Sequence, residues 1–207
     1  MATRPGYTIK DGKVRTVNVN FEWSGGFAVS QKQKNIEKLH KALGGSALEV
    51  STKSKVDLGK KLSAFNLRLG GYTLENIYQS SKTFENGGPY TDLLEVQPKE
   101  AKRDPRLQSS GKLIAFSYKG ENWPLEPRSA FYDYIYAMAV KECISEEELE
   151  MLSEYQYFTD IEFNPNKSSN TQARAIAIVK MLVQMFGGIP ELNKDDFIKF
   201  HKSVVTY

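Results

Sequence analysis

The stretch Thr171-Gln-Ala-Arg-Ala-Ile-Ala-Ile-Val-Lys-Met-Leu-Val-Gln-Met-Phe186 is apolar on nearly every side of a helix. Such a helix has no face suited to solvent, so it is expected to lie at the centre of the domain. The pair Gly187-Gly188 that follows predicts its end, because glycine adopts the left-handed conformation of a helix C-cap at little cost. The remaining elements are therefore expected to pack around this one core helix.

Outside this segment, the sequence predicts shorter helices and a few short strands. Capping residues and apolar spacing predict helices at 30–43, 58–65, 73–84, 129–141, 145 onward and 193–204. Alternating or short apolar runs predict strands at 7–23, 48–51 and 112–118, the last forming a hairpin through a turn at 119–122. We expect a helix-rich α+β fold of about seven helices, formed as a single domain over residues 1–207, with residues 1–20 as an N-terminal strand or extension.

The scarcity of histidine and cysteine limits the chemistry that the chain can carry. Its 207 residues include two histidines, His40 and His201, and one cysteine, Cys143. These counts exclude an internal disulfide and argue against a Cys/His zinc cluster. Both histidines fall in segments with the pattern of amphipathic, lysine-rich helices, with His40 expected at the surface, which disfavours a Ser–His–Asp triad. Catalysis is therefore expected to rest on carboxylates, lysines and positioned polar groups, with no metal and no cofactor.

Charge and hydropathy limit the ligands and the cellular location that the sequence predicts. The 28 Lys and Arg residues nearly balance the 25 Asp and Glu residues, for a net charge of +3, which permits an anionic ligand without indicating a protein that coats nucleic acid. No apolar run is long enough for a membrane span, and the first residues lack the apolar centre of a signal peptide. The sequence predicts a cytoplasmic protein without a membrane partner.

A first group of polar residues falls on the helix predicted after Thr73. Glu75, Gln79 and Lys82 have i, i+4 and i+7 spacing, which puts a carboxylate, an amide and an ammonium on one helix face. This face is either an ordinary solvated surface or part of a site in a cleft.

A second group lies in the predicted loop 99–107. Lys102, Arg103 and Arg106 bring dense positive charge beside a proline turn. Guanidinium groups match phosphate oxygens, and neighbouring cations lower the pKa of a lysine and make its amine more nucleophilic. The alternative is an ordinary charged loop.

A third group directly precedes the core helix. Asp160 and Glu162 stand among aromatic residues, where partial desolvation would increase the basicity of a carboxylate. The same segment could also cap the core helix through Asn164, Ser169 and Asn170, and the two interpretations are compatible.

A fourth group is a glycine-flanked aromatic loop at 21–27. Trp23 and Phe27 could stack on a base, while Ser24 and Gly26 allow a ligand to approach the backbone. The loop matches no known phosphate-binding motif.

Long stretches of the chain resemble the NADAR antitoxins that accompany DarT-type DNA ADP-ribosyltransferase toxins. The matching stretches are Phe21-Glu-Trp23, Gly26-Phe-Ala-Val-Ser-Gln-Lys32, Leu48-Glu-Val-Ser-Thr-Lys-Ser54, Leu62-Ser-Ala-Phe-Asn-Leu67, Ser81-Lys-Thr-Phe-Glu-Asn-Gly-Gly-Pro-Tyr90, Ala101-Lys-Arg-Asp-Pro-Arg-Leu107, Trp123-Pro-Leu-Glu-Pro127, Ala130-Phe-Tyr-Asp133 and Phe158-Thr-Asp-Ile-Glu-Phe-Asn-Pro165. The resemblance implies the NADAR fold and an antitoxin that hydrolyses ADP-ribose from guanine bases in DNA. The partners implied are ADP-ribosylated DNA, free ADP-ribose as product, and a cognate toxin.

The resemblance also assigns expected roles to residues of this chain. The family's glutamate, glutamine, lysines and late aspartate fall on Glu75, Gln79, Lys82, Lys102 and Asp160. A carboxylate, Glu75 or Asp160, would stabilise positive charge on the ribose or activate water. A lysine, Lys102 in preference to Lys82, could attack the anomeric carbon. Substrate-binding roles are expected for Trp23, Ser24, Gly26, Phe27, Gln79, Arg103, Arg106 and Asn164, with the two arginines on the pyrophosphate.

Three other functions are compatible with these residues. The chain could bind ADP-ribose or modified DNA without turnover, or it could neutralise the toxin by contact through the acidic stretch 146–154. It could also be an N-glycosidase acting on riboflavin-pathway intermediates, an activity that the wider NADAR superfamily includes.

Overall fold

The computed structural model describes residues 1–164 and 171–206. Its strands are β1 (Ala2–Lys10), β2 (Lys13–Phe21), β3 (Ala47–Glu49), β4 (Arg68–Leu69), β5 (Tyr72–Thr73), β6 (Lys82–Phe84), β7 (Leu113–Tyr118), β8 (Glu121–Trp123) and β9 (Tyr157–Thr159). Its α-helices are α1 (Val29–Leu43), α2 (Asp57–Lys61), α3 (Leu74–Ser80), α4 (Pro98–Arg103), α5 (Arg106–Ser109), α6 (Ala130–Cys143), α7 (Glu146–Glu150), α8 (Gln172–Phe186) and α9 (Lys194–Val204). The prediction of a helix-rich α+β domain is confirmed.

The predicted core helix is α8, and it is buried along most of its length. It packs against α6 on one side and against β1 and β9 on another. The Thr171 hydroxyl accepts a hydrogen bond from the Ala173 N–H at the start of the helix, and Gly187 ends it with a φ of 73°. Thr171 was not among the predicted caps, and two of those, Ser169 and Asn170, lie outside the described residues. Burial of each large apolar side chain of α8 contributes about 1.5–3 kcal/mol.

The main sheet has the strand order β2-β1-β9-β3. Strand β1 is antiparallel to β2 and to β9, whereas β3 is parallel to β9, with Glu49 paired to Thr159. This pairing brings two segments more than 100 residues apart to one edge of the sheet. As a result, Glu49 at the end of β3 lies beside Asp160, which directly follows β9.

The N-terminal region differs from the predicted single strand at 7–23. It is a hairpin of β1 and β2, in which Lys10 pairs with Lys13 across a two-residue turn. Asp11 and Gly12 both have positive φ values, 53° and 68°, as a type I′ turn requires. The Asp-Gly pair was the signal for this turn, and residues 2–21 form an integral part of the sheet.

Two predicted helix boundaries and one predicted loop were also wrong. Helix α1 begins at Val29, ahead of the proposed Ser30 cap, and has no side-chain cap. Helix α3 starts after its predicted Thr73 cap but ends at Ser80, so Lys82 is the first residue of β6. The predicted loop 99–107 is instead helical on both sides of Asp104, because a capping box between Gln97 and Glu100 and a proline at the first position favour α4.

The remaining elements include a small second sheet and two capped helices. Strands β6, β7 and β8 form a small antiparallel sheet, and the predicted hairpin is confirmed, with Lys119 and Gly120 in its turn. The predicted capping box between Ser145 and Glu148 is present at the start of α7. The Asn193 side chain caps α9 as expected.

Both histidines are more buried than their lysine-rich surroundings suggested. His40 is half-buried, and His201 is fully buried. The His201 Nε2 atom lies 2.8 Å from Asp133 Oδ2, and the same oxygen lies 3.2 Å from an Arg174 nitrogen. These three residues come from α9, α6 and α8, so one buried carboxylate joins three helices around the core.

We predict that His201→Ala destabilises the protein by about 3–5 kcal/mol, because it removes one of two described partners of the buried Asp133 carboxylate, leaving Arg174, and creates a cavity where the buried ring packed. Urea unfolding would measure the change. The matched control on the same helix is Lys199→Ala, whose side chain is 80% exposed, and which should change the free energy of unfolding by less than about 0.5 kcal/mol. A loss below about 1 kcal/mol for His201→Ala would contradict this role for the pair.

Candidate active site

A cleft of about 920 Å³ opens between α3, β6, β7, the start of α6 and the segment that follows β9. Six of the predicted site residues line it, namely Glu75, Gln79, Lys82, Lys102, Asp160 and Asn164. The expectation of a solvated surface for the α3 face is therefore wrong. The carboxylate and amide of that face are buried at 6% and 5% exposure.

A chain of polar contacts joins the four residues from α3, β6 and α4. Gln79 Nε2 donates to Glu75 Oε1 at 2.9 Å, and Lys82 Nζ donates to Gln79 Oε1 at 2.7 Å. Lys102 Nζ lies 3.8 Å from the same Glu75 oxygen. The Gln79 amide is thus fixed in one orientation by its two partners. It holds the Lys82 amine close to Glu75 without a direct ion pair in the described residues.

The Lys82 amine is the most perturbed base in the cleft. The pKa of Lys82 is lowered to about 8, mainly by burial; the Glu75 carboxylate acts in the opposite direction, and the nearby Lys102 charge makes a smaller contribution to the lowering. An amine with a pKa of about 8 is neutral in roughly a tenth of the molecules at pH 7. Lys102, in contrast, has a side chain that is 57% exposed.

The premise that favoured Lys102 as nucleophile was positive charge from the neighbouring arginines. Arg106, however, is paired with two aspartates, at 2.6 Å from Asp92 and 2.9 Å from Asp104. Arg106 and the exposed Arg103 lie outside the lining of the cleft. The cleft-lining arginine is instead Arg128, just before α6.

Hydrogen bonds from other described residues hold the Asp160 carboxylate in place. Its carboxylate accepts from Gln172 Nε2 at 3.1 Å and from the Glu162 N–H at 3.1 Å. Burial is the main cause that raises its pKa. Asp160 therefore combines a fixed orientation with increased basicity.

A second buried carboxylate, Glu49, was missed in the sequence. It accepts hydrogen bonds from the Ile161 N–H at 2.8 Å, from the Thr159 hydroxyl at 2.7 Å and from the Ser51 hydroxyl at 2.6 Å. Burial and, secondly, the negative charge of Asp160 raise the pKa of Glu49. Because Glu49 binds the residues on both sides of Asp160, it fixes the backbone from which Asp160 extends.

His40 completes this buried group from α1. Its Nε2 atom lies 2.8 Å from the Thr159 hydroxyl oxygen, which already donates its proton to Glu49 and therefore accepts from His40. Burial lowers the pKa of His40 to about 4, so its ring is neutral near pH 7. His40 thus stabilises the Glu49 group through Thr159 and does not line the cleft.

Aromatic side chains form part of the cleft wall. The Tyr78 ring lies 5.4 Å from the Phe116 ring and 5.2 Å from the Tyr132 ring, measured between centroids. Phe65 lines another part of the wall, with Lys102 Nζ 5.5 Å from its ring centroid. These rings offer flat apolar surface for a base or ribose, and they come from α3, β7, α6 and the turn after α2, which no single motif reveals.

The aromatic loop at 21–27, expected to bind a base of the ligand, lies outside the cleft lining. Trp23 is half-buried, with Lys32 Nζ 5.5 Å from its ring centroid. Lys32 in turn forms an ion pair at 3.3 Å with Glu162, which lines the cleft. The loop with Ser24, Gly26 and Phe27 therefore lies near the Glu162 edge of the cleft.

Within residues 1–164 and 171–206 the structure contains neither a candidate metal site nor a membrane-spanning helix. No group of three or more His, Cys, Asp and Glu side chains has a geometry that could hold a metal ion. No helix there has both the length and the apolar character needed to cross a membrane.

Comparison with known proteins places the chain in a family. A family model described as DarT1-associated NADAR antitoxin matches residues 2–205, which is nearly the whole chain. No curated protein matches the chain. The match extends across the core helix, the main sheet and every cleft residue described above. The chain belongs to the family of DarT1-associated NADAR antitoxins.

Proposed function

We propose that this antitoxin is an N-glycosidase that removes ADP-ribose from ADP-ribosylated guanine in DNA. The observation that carries the proposal is the contact chain Lys82–Gln79–Glu75, which places a weakly basic amine close to a buried carboxylate in one cleft. Cleavage of an N-glycosidic bond develops positive charge on the ribose, and a fixed carboxylate stabilises that charge. The family supplies the biological context, reversal of a modification made by the cognate toxin.

The cleft suits an ADP-ribosyl group in size and chemistry. Its volume of about 920 Å³ lies in the range of ligand pockets and is ample for a nucleotide sugar. We assign the pyrophosphate to Arg128, because it lines the cleft, whereas Arg103 and Arg106 do not. The aromatic wall at Tyr78, with Phe65, would contact the adenine or the guanine.

The first chemical step uses Lys82 as the nucleophile. Its neutral amine attacks the anomeric carbon of the distal ribose while the bond from that carbon to the guanine nitrogen breaks. The electron pair of the broken bond stays on guanine, which takes up the proton that the alkylated amine loses. Glu75 stabilises the positive charge that develops on the ribose during this exchange.

The second step returns the enzyme to its starting state. The nitrogen lone pair of the new glycosylamine forms a C=N bond as the ring oxygen leaves the carbon and takes up a proton from solvent. A water molecule then adds to the C=N carbon and gives its proton to Asp160, which later releases it to solvent. Expulsion of the Lys82 amine yields ADP-ribose.

A direct water attack is the alternative route at the same site. Glu75 would again stabilise the ribose cation, and Asp160 would take the proton of the attacking water. This route leaves Lys82 as a positioning group for Glu75 and forms no bond between protein and ribose.

Turnover separates the hydrolase from a protein that only binds modified DNA or the toxin. We predict that sub-stoichiometric protein releases many equivalents of ADP-ribose from a guanine-ADP-ribosylated oligonucleotide, measured by mass spectrometry. Glu75→Gln should reduce the rate by roughly 10²–10³-fold, because the charge that stabilises the ribose cation is lost. Release limited to one equivalent, or full activity of Glu75→Gln, would contradict the proposal. Protection from the toxin that survives Glu75→Gln would favour neutralisation by contact.

Reductive trapping identifies the nucleophile. With cyanoborohydride present, we predict a stable ADP-ribosyl adduct on Lys82, detected by intact mass and peptide mapping. Lys82→Arg keeps the charge but should abolish the adduct, and Lys102→Ala should retain it. If the adduct instead persists in Lys82→Arg and disappears in Lys102→Ala, Lys102 is the nucleophile. Absence of any adduct during multiple turnover would favour direct water attack.

The pH dependence tests the perturbed amine. Because only neutral Lys82 attacks, the single-turnover rate should increase about tenfold per pH unit up to about pH 8 and then level off. Lys102→Ala removes a positive charge that lowers the pKa of Lys82, so the increase should move to higher pH, whereas Lys102→Arg should leave it in place. A rate that is independent of pH from 6 to 9 would exclude Lys82 as the attacking base.

A further inference from the structure

Phe27 is the most exposed phenylalanine of the chain. Its side chain is 99% exposed, compared with 54% for Phe186, the next most exposed. Exposure of a whole aromatic ring to water is unfavourable, and nothing in the described chain covers this one. The ring therefore offers a complete flat surface to a partner.

The loop that carries Phe27 has a fixed base. The buried Asn35 side chain accepts from the Ser24 N–H at 2.7 Å and donates to the Ser24 carbonyl at 2.9 Å. Gly26 has a φ of 117°, a conformation that favours glycine. Two hydrogen bonds to a buried side chain thus anchor the loop, so that Phe27 is presented in a defined region of the surface.

This region adjoins the cleft through one lysine. Lys32 lies in the first turns of α1, directly after the loop, and contacts both the Trp23 ring and Glu162. Glu162 lines the cleft. The first turns of α1 and the Phe27 loop thus lie next to the Glu162 edge of the cleft.

The segment of the chain that contains this loop and α1 is rich in lysine. Residues 23–61 contain eight lysines against three acidic residues, although the whole chain carries only +3. Lys34, Lys38 and Lys41 fall at i, i+4 and i+7 on α1, a stripe about 10 Å long. Lys38 Nζ donates to the Ser24 hydroxyl at 3.0 Å, which joins this stripe to the Phe27 loop. Lys34 and Lys41 form no ion pair among the described residues.

We propose that the Phe27 loop and the lysine stripe of α1 bind the DNA strand that flanks the modified guanine. A modified base can enter the cleft only after it leaves the base stack, which exposes the face of its neighbour. Phe27 stacks on that neighbouring base, and Lys34 and Lys41 contact the phosphates. This inference rests on the proposed function. It adds that the enzyme recognises the DNA strand around the modified guanine as well as the modified nucleoside itself.

Two substrates for the same reaction test the inference. We predict that Phe27→Ala lowers kcat/KM on an ADP-ribosylated single-stranded oligonucleotide on the order of tenfold, since stacking is lost. On ADP-ribosylated guanosine alone, which has no neighbouring base, Phe27→Ala should match the wild type. Phe186→Ala, the matched control, should match the wild type on both substrates. Equal losses on both substrates, or no loss on either, would overturn the inference.

Binding of unmodified DNA gives a readout that does not depend on hydrolysis. With a labelled single-stranded oligonucleotide, Phe27→Ala should weaken binding, and Lys34→Gln with Lys41→Gln should reduce the salt dependence of log K by about 0.7 per lysine. The control is Lys202→Gln, at an exposed position of α9, which should change neither the affinity nor its salt dependence. If the wild type hydrolyses neither substrate, the proposed function fails and this measurement alone decides the strand surface. Unchanged DNA binding combined with loss of toxin binding in Phe27→Ala would assign the surface to the toxin and overturn the inference.

Discussion

Desolvation of the Lys82 amine is the constraint on which the site depends. Removing an ammonium from water is costly, and in this cleft the cost is only partly offset by the Gln79 carbonyl and the Glu75 charge. This balance arises at the junction of α3 and β6, where the helix ends at Ser80 and the strand begins at Lys82. Closer contact with Glu75 would stabilise the ammonium, and full exposure would return the pKa to its ordinary range. The intermediate placement is what makes the amine available as a nucleophile near neutral pH.

The second constraint is the position of Asp160, which depends on sheet topology. The parallel pairing of β3 with β9 places Glu49 beside the turn that carries Asp160, and Glu49 binds the residues on both sides of it. Because two neighbouring carboxylates disfavour each other's ionisation, the Asp160 charge, together with burial, raises the pKa of Glu49. The sheet, the core helix that covers it and the His40 contact thus serve to hold one carboxylate at the edge of the cleft.

The sequence was informative wherever the determining interactions are local. The apolar character of α8, the Thr73 and Asn193 caps and the spacing of Glu75 and Gln79 were sufficient to predict these features, and the family resemblance is confirmed. Non-local contacts were not predictable. The two aspartates that neutralise Arg106 include one 14 residues away, and the strand that partners Glu49 lies more than 100 residues away. The sequence signal for Glu49 is a glutamate in a short apolar strand that is followed by serine and threonine.

Titration of the Lys82 amine would show whether burial makes it weakly basic. In the full protein with isotopically labelled lysine side chains, NMR would follow the Lys82 resonance across pH, with Lys82→Arg used to assign it. The expected pKa of the Lys82 amine is about 8. A pKa near the ordinary value of 10.5 would contradict it, because the amine would then be almost entirely protonated and unable to attack near neutral pH.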